Sequence, residues 1–247
     1  MKKLFFIVLI IAPILLMECR QGSGYASEKA VFQINNHDPA QFGYEQGNGP
    51  AATATSICLD SNYAYIADAF HNNVKKINLT TFEITHSAKL PGLNPMPMDI
   101  CLFNNKVYVT SLYDSIYVLD KNLNLLVSLY IDGEFEKNFV EISDDTLVVY
   151  LDIGSKIVKI DKYNRIHPGI DTSLIDSYAT LHGKRYALDT ASGKFIIETD
   201  HFSIELREPL PNVNRMYDAH DIEYDDHHLV LFGVDTSRFI LYVYELK

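Results

Sequence analysis

Beyond an apolar opening stretch, hydrophobic and polar positions alternate with a period of two, in short runs that stop at Asn, Asp, Ser or Gly. Ser56-Ile57-Cys58-Leu59 and Tyr63-Ala64-Tyr65-Ile66 flank Asp60-Ser61-Asn62. Ile100-Cys101-Leu102-Phe103 and Val107-Tyr108-Val109-Thr110 flank Asn104-Asn105. Such runs predict strands joined by tight hairpins. The 3.6-residue period of an amphipathic helix appears nowhere after the opening stretch.

The runs repeat. The first pattern, Ser56 to Asp68, returns at Asp99 to Ser111 and again from Phe139 through Asp144-Asp145 to Tyr150. It returns weakly at Tyr178 to Asp189 and once more from Asp221 through Asp225-Asp226 to Phe232. Leu59, Leu102, Ile142, Thr180 and Tyr224 occupy one equivalent position, with a period of roughly 40 residues. A period of that length with several short strands per unit predicts propeller blades. In the second unit the strands are Ile100–Phe103, Val107–Thr110, Ser115–Leu119 and Leu123–Tyr130. The fifth unit stops after its third strand, Phe239–Glu245, and Ala30–Ile34 is a strand without a unit of its own. Adding it to the last blade covers two edges at once. The fold expected is therefore all-β: a five-bladed β-propeller of four-stranded antiparallel blades, closed by an N-terminal strand added to the last blade.

Phe42-Gly43 to Gly47-Asn48-Gly49-Pro50, followed by Ile57 to Ile66-Ala67-Asp68, resembles an NHL repeat. Pro97-Met98-Asp99-Ile100 through Val107-Tyr108-Val109-Thr110 to Ile116-Tyr117-Val118-Leu119-Asp120 resembles the related YVTN repeat. The resemblance implies a propeller. It leaves function open, because such repeats serve protein-binding scaffolds, carbohydrate binders and a few metal-dependent lyases and lactonases.

The opening stretch is a leader by composition. Lys2-Lys3 precedes an apolar run from Leu4 to Met17, too short to span a bilayer. Gly24-Tyr25-Ala26 before Ser27 suits signal-peptidase cleavage, giving a signal peptide over 1–26 and one propeller domain over 27–247. Leu16-Met17-Glu18-Cys19 resembles a lipoprotein box, from which Glu18 departs. On that reading the leader ends at 18 and Cys19 carries the lipid. Either exit predicts an extracytoplasmic bacterial protein, periplasmic, envelope-bound or secreted, touching the membrane only through such an anchor.

Charge narrows the partners. The chain carries a net charge of −11, and loss of 1–26 removes three basic and one acidic side chain. An acidic surface repels phosphate backbones, so nucleic acid is excluded as a partner. The expected state is a monomer.

Candidate chemistry is sparse. No Gly-x-Ser-x-Gly, His-Glu-x-x-His or Cys-x-x-Cys occurs, and no cofactor is implied. Asp120-Lys121-Asn122-Leu123-Asn124 begins like a calcium loop but has Leu125 in place of the required Gly, so it reads as a turn. Asp68 sits at the end of a second strand, where Asp bonds its own backbone. Cys58 and Cys101 occupy equivalent positions and point the same rotational way, so they read as free thiols. His220 aligns with Thr55, Met98, Asn138 and Asp176 at one mouth of the expected channel. With Asp176, Asp99 and Asp221 it forms the set that a metal-dependent lyase or lactonase would need. Loops after second strands and before first strands share a face and carry Phe70, His71, Met98, Tyr113, Met216 and Tyr217. With His220 these are the ligand-binding candidates. The reading leans away from an enzyme. It favours a non-catalytic module that binds a protein, peptide or glycan through the loop-rich face, with the metal enzyme as the alternative.

Overall fold

Turns set the strand lengths. Asn104 and Asn105 both adopt positive φ, 48° and 61°. Two such residues make the hairpin turn whose twist matches that of the strands it joins. The wider turns use a side chain. Asn78 accepts the Thr80 and Thr81 N–H groups through Oδ1, Asp120 those of Asn122 and Asn124, and Asp161 those of Tyr163 and Arg165. The same device thus recurs in each of the first three sheets. Asp120 belongs wholly to its turn, and its Asn124 partner delays the next strand to Leu125 rather than the expected Leu123.

The protein is described by a computed structural model over residues 20–24, 28–45, 52–113, 115–131, 137–143, 146–151, 156–168, 184–189, 194–199, 202–206, 220–224, 228–234 and 236–245. Among these residues there is no helix, and hence none long and apolar enough to cross a membrane. The strands form five four-stranded sheets. The first sheet is a meander of β3 (Ala54–Asp60), β4 (Tyr63–Asp68), β5 (Asn73–Asn78) and β6 (Ile84–Lys89). The second repeats it with β7 (Pro97–Phe103), β8 (Lys106–Ser111), β9 (Ser115–Leu119) and β10 (Leu125–Tyr130). The third holds β11 (Lys137–Ser143), β12 (Thr146–Leu151), β13 (Lys156–Asp161) and β14 (Ile166–Pro168). The fifth joins β18 (His220–Tyr224), β19 (His228–Val234) and β20 (Arg238–Glu245) to β2 (Glu28–Gln33) from the start of the chain. β2 runs antiparallel to β20, with Val31 opposite Ile240 and Phe32 opposite Phe239.

The fourth sheet departs from the expected antiparallel pattern. It contains β15 (Lys184–Asp189), β16 (Lys194–Thr199) and β17 (Phe202–Leu206), with β1 (Arg20–Gly24) parallel to β17 on its far side. β1 lies in the segment that the sequence assigns to the leader. An unpaired edge presents N–H and C=O groups to any extended segment within reach, which is the physical reason for the added strand. Only three residues separate β1 from β2, so the outer edges of the fourth and fifth sheets stand within about 14 Å of one another. The expected first strand of the fourth unit, around Thr180, lies outside the described residues.

First strands neighbour one another: β18 lies beside β3, β3 beside β7, and β7 beside β11. Middle strands are consequently covered on both faces. Ala64 and Ile66 of β4 pack with Phe232, Phe239 and Leu241 of the fifth sheet, whereas Tyr65 and Ala67 pack with Val107, Val109 and Leu119 of the second. Tyr108 of β8 then turns to Leu147, Val149 and Ile160 of the third sheet. Alternating residues thus fill successive cores, which is why β4 and β8 lack exposed polar positions. Each fully covered side chain of this size contributes about 1.5–3 kcal/mol. Hydrogen bonds accompany the packing. Tyr65 Oη donates to the Lys121 carbonyl at 3.2 Å, and the equivalent Tyr108 Oη donates to Asn164 Oδ1 at 2.6 Å.

Candidate functional site

In the first two sheets the loop after the second strand is tied to the loop before the first. Ala69 N–H donates to the Thr53 carbonyl, and Leu112 N–H, one unit later, donates to the Met96 carbonyl. Asn72 joins the two units. Its carbonyl accepts Leu90 N–H, its Oδ1 accepts Met96 N–H at 2.7 Å, and its Nδ2 donates to Asn94 Oδ1 at 2.9 Å. Asn72 adopts a φ of 56°, a left-handed conformation that Asn tolerates well.

A buried ion pair anchors this rim. Lys75 Nζ lies 2.6 Å from Asp68 Oδ2 and 2.7 Å from Asn73 Oδ1. Asp68 and Lys75 are fully buried. Asp68 Oδ1 accepts the Phe70 and His71 N–H groups at 3.1 and 3.3 Å, which shapes the turn into β5. His71 Nδ1 lies 3.1 Å from Asp68 Oδ2. Burial pushes the Asp68 carboxyl up, but the His71 hydrogen bond and the Lys75 charge outweigh it and hold the group below the usual carboxylate range. Burial pulls the Lys75 ammonium down against the attraction of Asp68. The Phe42 ring lies 5.2 Å from Lys75 Nζ and stacks on Phe239 at 3.8 Å.

The segment 34–45 covers the turn. Thr53 Oγ1 donates to the Gly43 carbonyl at 2.9 Å, and Asn73 Nδ2 donates to the Pro39 carbonyl at 2.8 Å. Gly43 sits so close that a Cβ there would stand 2.0 Å from Phe70 Cδ1 and 2.7 Å from His71 Cε1.

Phe70 and His71 are therefore packed side chains, with ring centroids 4.8 Å apart. His71 Nε2 is buried and has no hydrogen-bond partner among the described residues. Met98 is half-buried within the irregular stretch of β7 between Pro97 and Ile100. Tyr113 is 44% exposed at the tip of the β8–β9 loop, which Ser111 braces through the Tyr113 and Ser115 carbonyls. His220 pairs through its backbone with Gly233 at the start of the fifth sheet. Its side chain lies outside the described residues, as do Met216 and Tyr217.

The sequence reading missed Leu93, which is 99% exposed on the same rim between Gly92 (φ 108°) and Asn94 (φ 56°). The signal was Pro91-Gly92. A Pro-Gly turn ahead of a tied Asn pushes the intervening residue outward.

Of the metal set, only Asp99 is described by its side chain. Its Oδ1 accepts the Ser56 hydroxyl at 2.7 Å and its own strand's Ile100 N–H at 2.8 Å. Beside it, Thr55 Oγ1 donates to the Pro97 carbonyl. Asp99 thereby helps join β3 to β7. Asp176 and the side chain of Asp221 lie outside the described residues. Among the described residues no group of three His, Cys, Asp or Glu side chains converges on a metal position. Cys58 and Cys101 are free thiols. Cys58 faces the core between the first two sheets and Cys101 the core between the second and third, so the second sheet stands between them. Burial pushes the Cys101 thiol well up, with Cys58, Asp99 and Glu223 adding to the effect. Chemically, then, the rim holds its charges internally and presents apolar tips outward.

No protein-family model matches the chain, and neither does any curated protein. Among solved structures it is similar to a catalytically inactive virginiamycin B lyase from Staphylococcus aureus with quinupristin. Identity is 15% and the TM-score 0.44, over 80% of this chain and 68% of that one. It is similar to a streptogramin B lyase structure at 12% identity and a TM-score of 0.44, over 82% of this chain and 68% of that one. The computationally designed Ika4 protein gives 12% and 0.40, over 82% of this chain and 95% of that one. Likenesses this distant carry no activity across.

Proposed function

We propose that the chain is an exported binding module, a closed five-bladed propeller that takes a protein, peptide or glycan on its loop-rich rim without catalysis. In this reading each sheet is one blade, β2 closes the ring on β20, and the leader is removed before the protein acts. The observation that carries the binding reading is the rim. Asn72 and Asp68 fix the loops in place, while Leu93 and Tyr113 stand out from them as exposed apolar tips. A rigid rim with protruding side chains loses little entropy on contact, which favours recognition.

The test is binding of purified protein to arrays of envelope glycans and peptides. Wild type is expected to retain a ligand that a Leu93→Ser, Tyr113→Ser double variant binds about tenfold more weakly, a change of ~1.4 kcal/mol. Equal binding by both proteins overturns the rim reading. The metal-dependent lyase or lactonase is judged in the same preparation. A chelator that lowers the melting temperature of wild type but not of His220→Ala would favour that enzyme, because only a bound ion contributes linkage stability.

A further inference from the structure

Exposed apolar side chains and positive charge meet at the end of the molecule opposite the rim. The β8–β9 loop lies on the rim, so the turn 120–124 that follows β9 lies at the far end, as does its equivalent 161–165 after β13. Eight large apolar side chains are exposed among the described residues, and four of them stand on or directly after these two turns. Leu125 and Leu126 are 46% and 52% exposed and Tyr163 67%, with Ile166 beside it. A bulge between Leu125 and Val127 breaks the register of β10 against β9. Such a bulge spoils an edge for strand pairing and turns its side chains into surface tips. Cations are interleaved with these tips. Arg165 and Lys162 lie 5.1 and 5.8 Å from the centre of the Tyr163 ring. Lys106 follows the neighbouring hairpin turn, whose Asn104 Nδ2 donates to the Lys162 carbonyl at 3.3 Å. Lys121 stands on the other turn and pairs with Asp60 at 2.9 Å. Asp120 and Asp161 accept N–H groups of their own turns, and Asp161 also accepts from Arg165 Nε. Residues 159–167 hold three basic side chains and one acidic, in a chain of net charge −11. The equivalent turn of the first sheet, 78–83, carries Glu83 and no cation. The expectation that only an anchor meets the membrane followed from the net charge and not from its distribution.

We infer that this end is a docking face for an anionic lipid surface, with Leu125, Leu126, Tyr163 and Ile166 entering the headgroup boundary and Lys106, Lys162 and Arg165 lying along its phosphates. The occupant follows from the mixture. Cations alone fit any polyanion, and apolar tips alone fit any apolar groove. Side by side on protruding turns, they match a surface that carries negative charge over hydrocarbon. A Tyr ring with its polar tip suits that boundary. Chain direction agrees. β2 ends at Gln33, directly before the segment 34–45 that covers the rim, so the chain reaches Glu28 from the opposite end. A lipid on Cys19 would hold this same face to the bilayer and leave the rim pointing outward. The inference needs no such anchor and stands apart from the rim reading.

Flotation with unilamellar vesicles tests it, in a Cys19→Ser protein so that no lipid on the chain contributes. The protein is expected to bind phosphatidylcholine vesicles containing phosphatidylglycerol about tenfold more tightly than phosphatidylcholine alone. Most of that binding should vanish at about 1 M salt, where charges are screened within about 3 Å. Lys162→Glu, and separately the Leu126→Ser, Tyr163→Ser double variant, are each expected to weaken it about tenfold with an unchanged melting temperature. Val31→Ser, at an exposed apolar position away from this face, should leave it unchanged. An environment-sensitive dye on Leu126→Cys is expected to shift to the blue on anionic vesicles, and the same dye on Val31→Cys to stay as in water. That readout decides the matter even where Lys162→Glu fails to fold. Equal binding to neutral and anionic vesicles, indifference to Lys162→Glu in a folded protein, or a dye at 126 that stays in water would each overturn the inference. So would a protein that binds heparin, a polyanion without hydrocarbon, as tightly as vesicles and keeps both after Leu126→Ser, Tyr163→Ser.

Discussion

Lys75 Nζ lies 2.6 Å from Asp68 Oδ2, with both side chains shut away from water beneath the segment 34–45. The pair ties the last residue of β4 to the middle of β5 and fixes the turn that carries Phe70 and His71. Replacing one partner leaves the other charge buried alone. Asp68→Asn is therefore expected to cost about 3–5 kcal/mol in denaturant unfolding. Lys75→Met in the Asp68→Asn background should recover part of that loss. A single substitution costing no more than an exposed one would show that the pair is not the anchor.

The same pair sets an acid limit. The folded-state pKa of Asp68 lies below its ordinary value, so its contribution is present above about pH 4 and is lost as pH falls through the folded value. Lys75 is pulled down from a much higher range and does not titrate there. Melting temperatures of wild type and Asp68→Asn, measured from neutral pH downward, are expected to converge below about pH 4. A gap that stays constant through that window would show that the carboxyl is not depressed.

Gly43 is the position where the covering segment meets the site. A Cβ there must displace the Phe70 ring, since 2.0 Å is far inside contact distance. Gly43→Ala is expected to destabilise the protein by about 1–3 kcal/mol through overpacking and to loosen the turn at Phe70. Thermal unfolding gives the first, and hydrogen exchange at the Phe70 and His71 amides the second. Wild-type values for both would mean that the segment moves aside freely.

Tyr65 and Tyr108 report on neighbouring sheets. Burial pushes the Tyr108 hydroxyl up to about 12 and that of Tyr65 above its ordinary range. An ultraviolet pH titration should find these two phenols ionising after the exposed ones. Tyr108→Phe removes the 2.6 Å bond to Asn164 and is expected to cost about 0.5–1.5 kcal/mol. A double-mutant cycle with Asn164→Ala isolates that bond, and zero coupling would remove it as a link between the second and third sheets.

Cys58 and Cys101 are expected to be slow to react with a thiol reagent in the native protein, because Cys58 is buried and the half-buried Cys101 thiol, pushed well up, forms little thiolate. Both should react after denaturation without a reductant. Fewer than two reactive thiols from these positions would reveal a disulfide, and with it a wrong arrangement of the first two sheets.

Strand and turn positions were legible from residue order, because they depend on neighbours. Alternation at Ser56–Leu59 and Val107–Thr110, paired Asn at the hairpin and the Asp120 turn all act within a few residues. The equivalence of Cys58 and Cys101 followed from the repeat, and their separation by a sheet follows from that equivalence. The position of β2 was legible because a unit short of a strand and a strand short of a unit complement each other. The parallel seat of β1 on β17 was not legible, since Arg20-Gln21-Gly22-Ser23-Gly24 carries no strand pattern. Nor was the role of Lys75, which reads as a surface charge until Asp68 is found beside it. The packing of Phe70 and His71 was not legible because Gly43 precedes them by some 27 residues, and chain order does not reveal such contacts. Leu93 was hidden for the opposite reason, an apolar residue that nothing packs against. Local conformation is decided by the residue and its neighbours. Burial and charge pairing are decided by segments that only the fold brings together, and in this protein the candidate site consists almost entirely of the second kind.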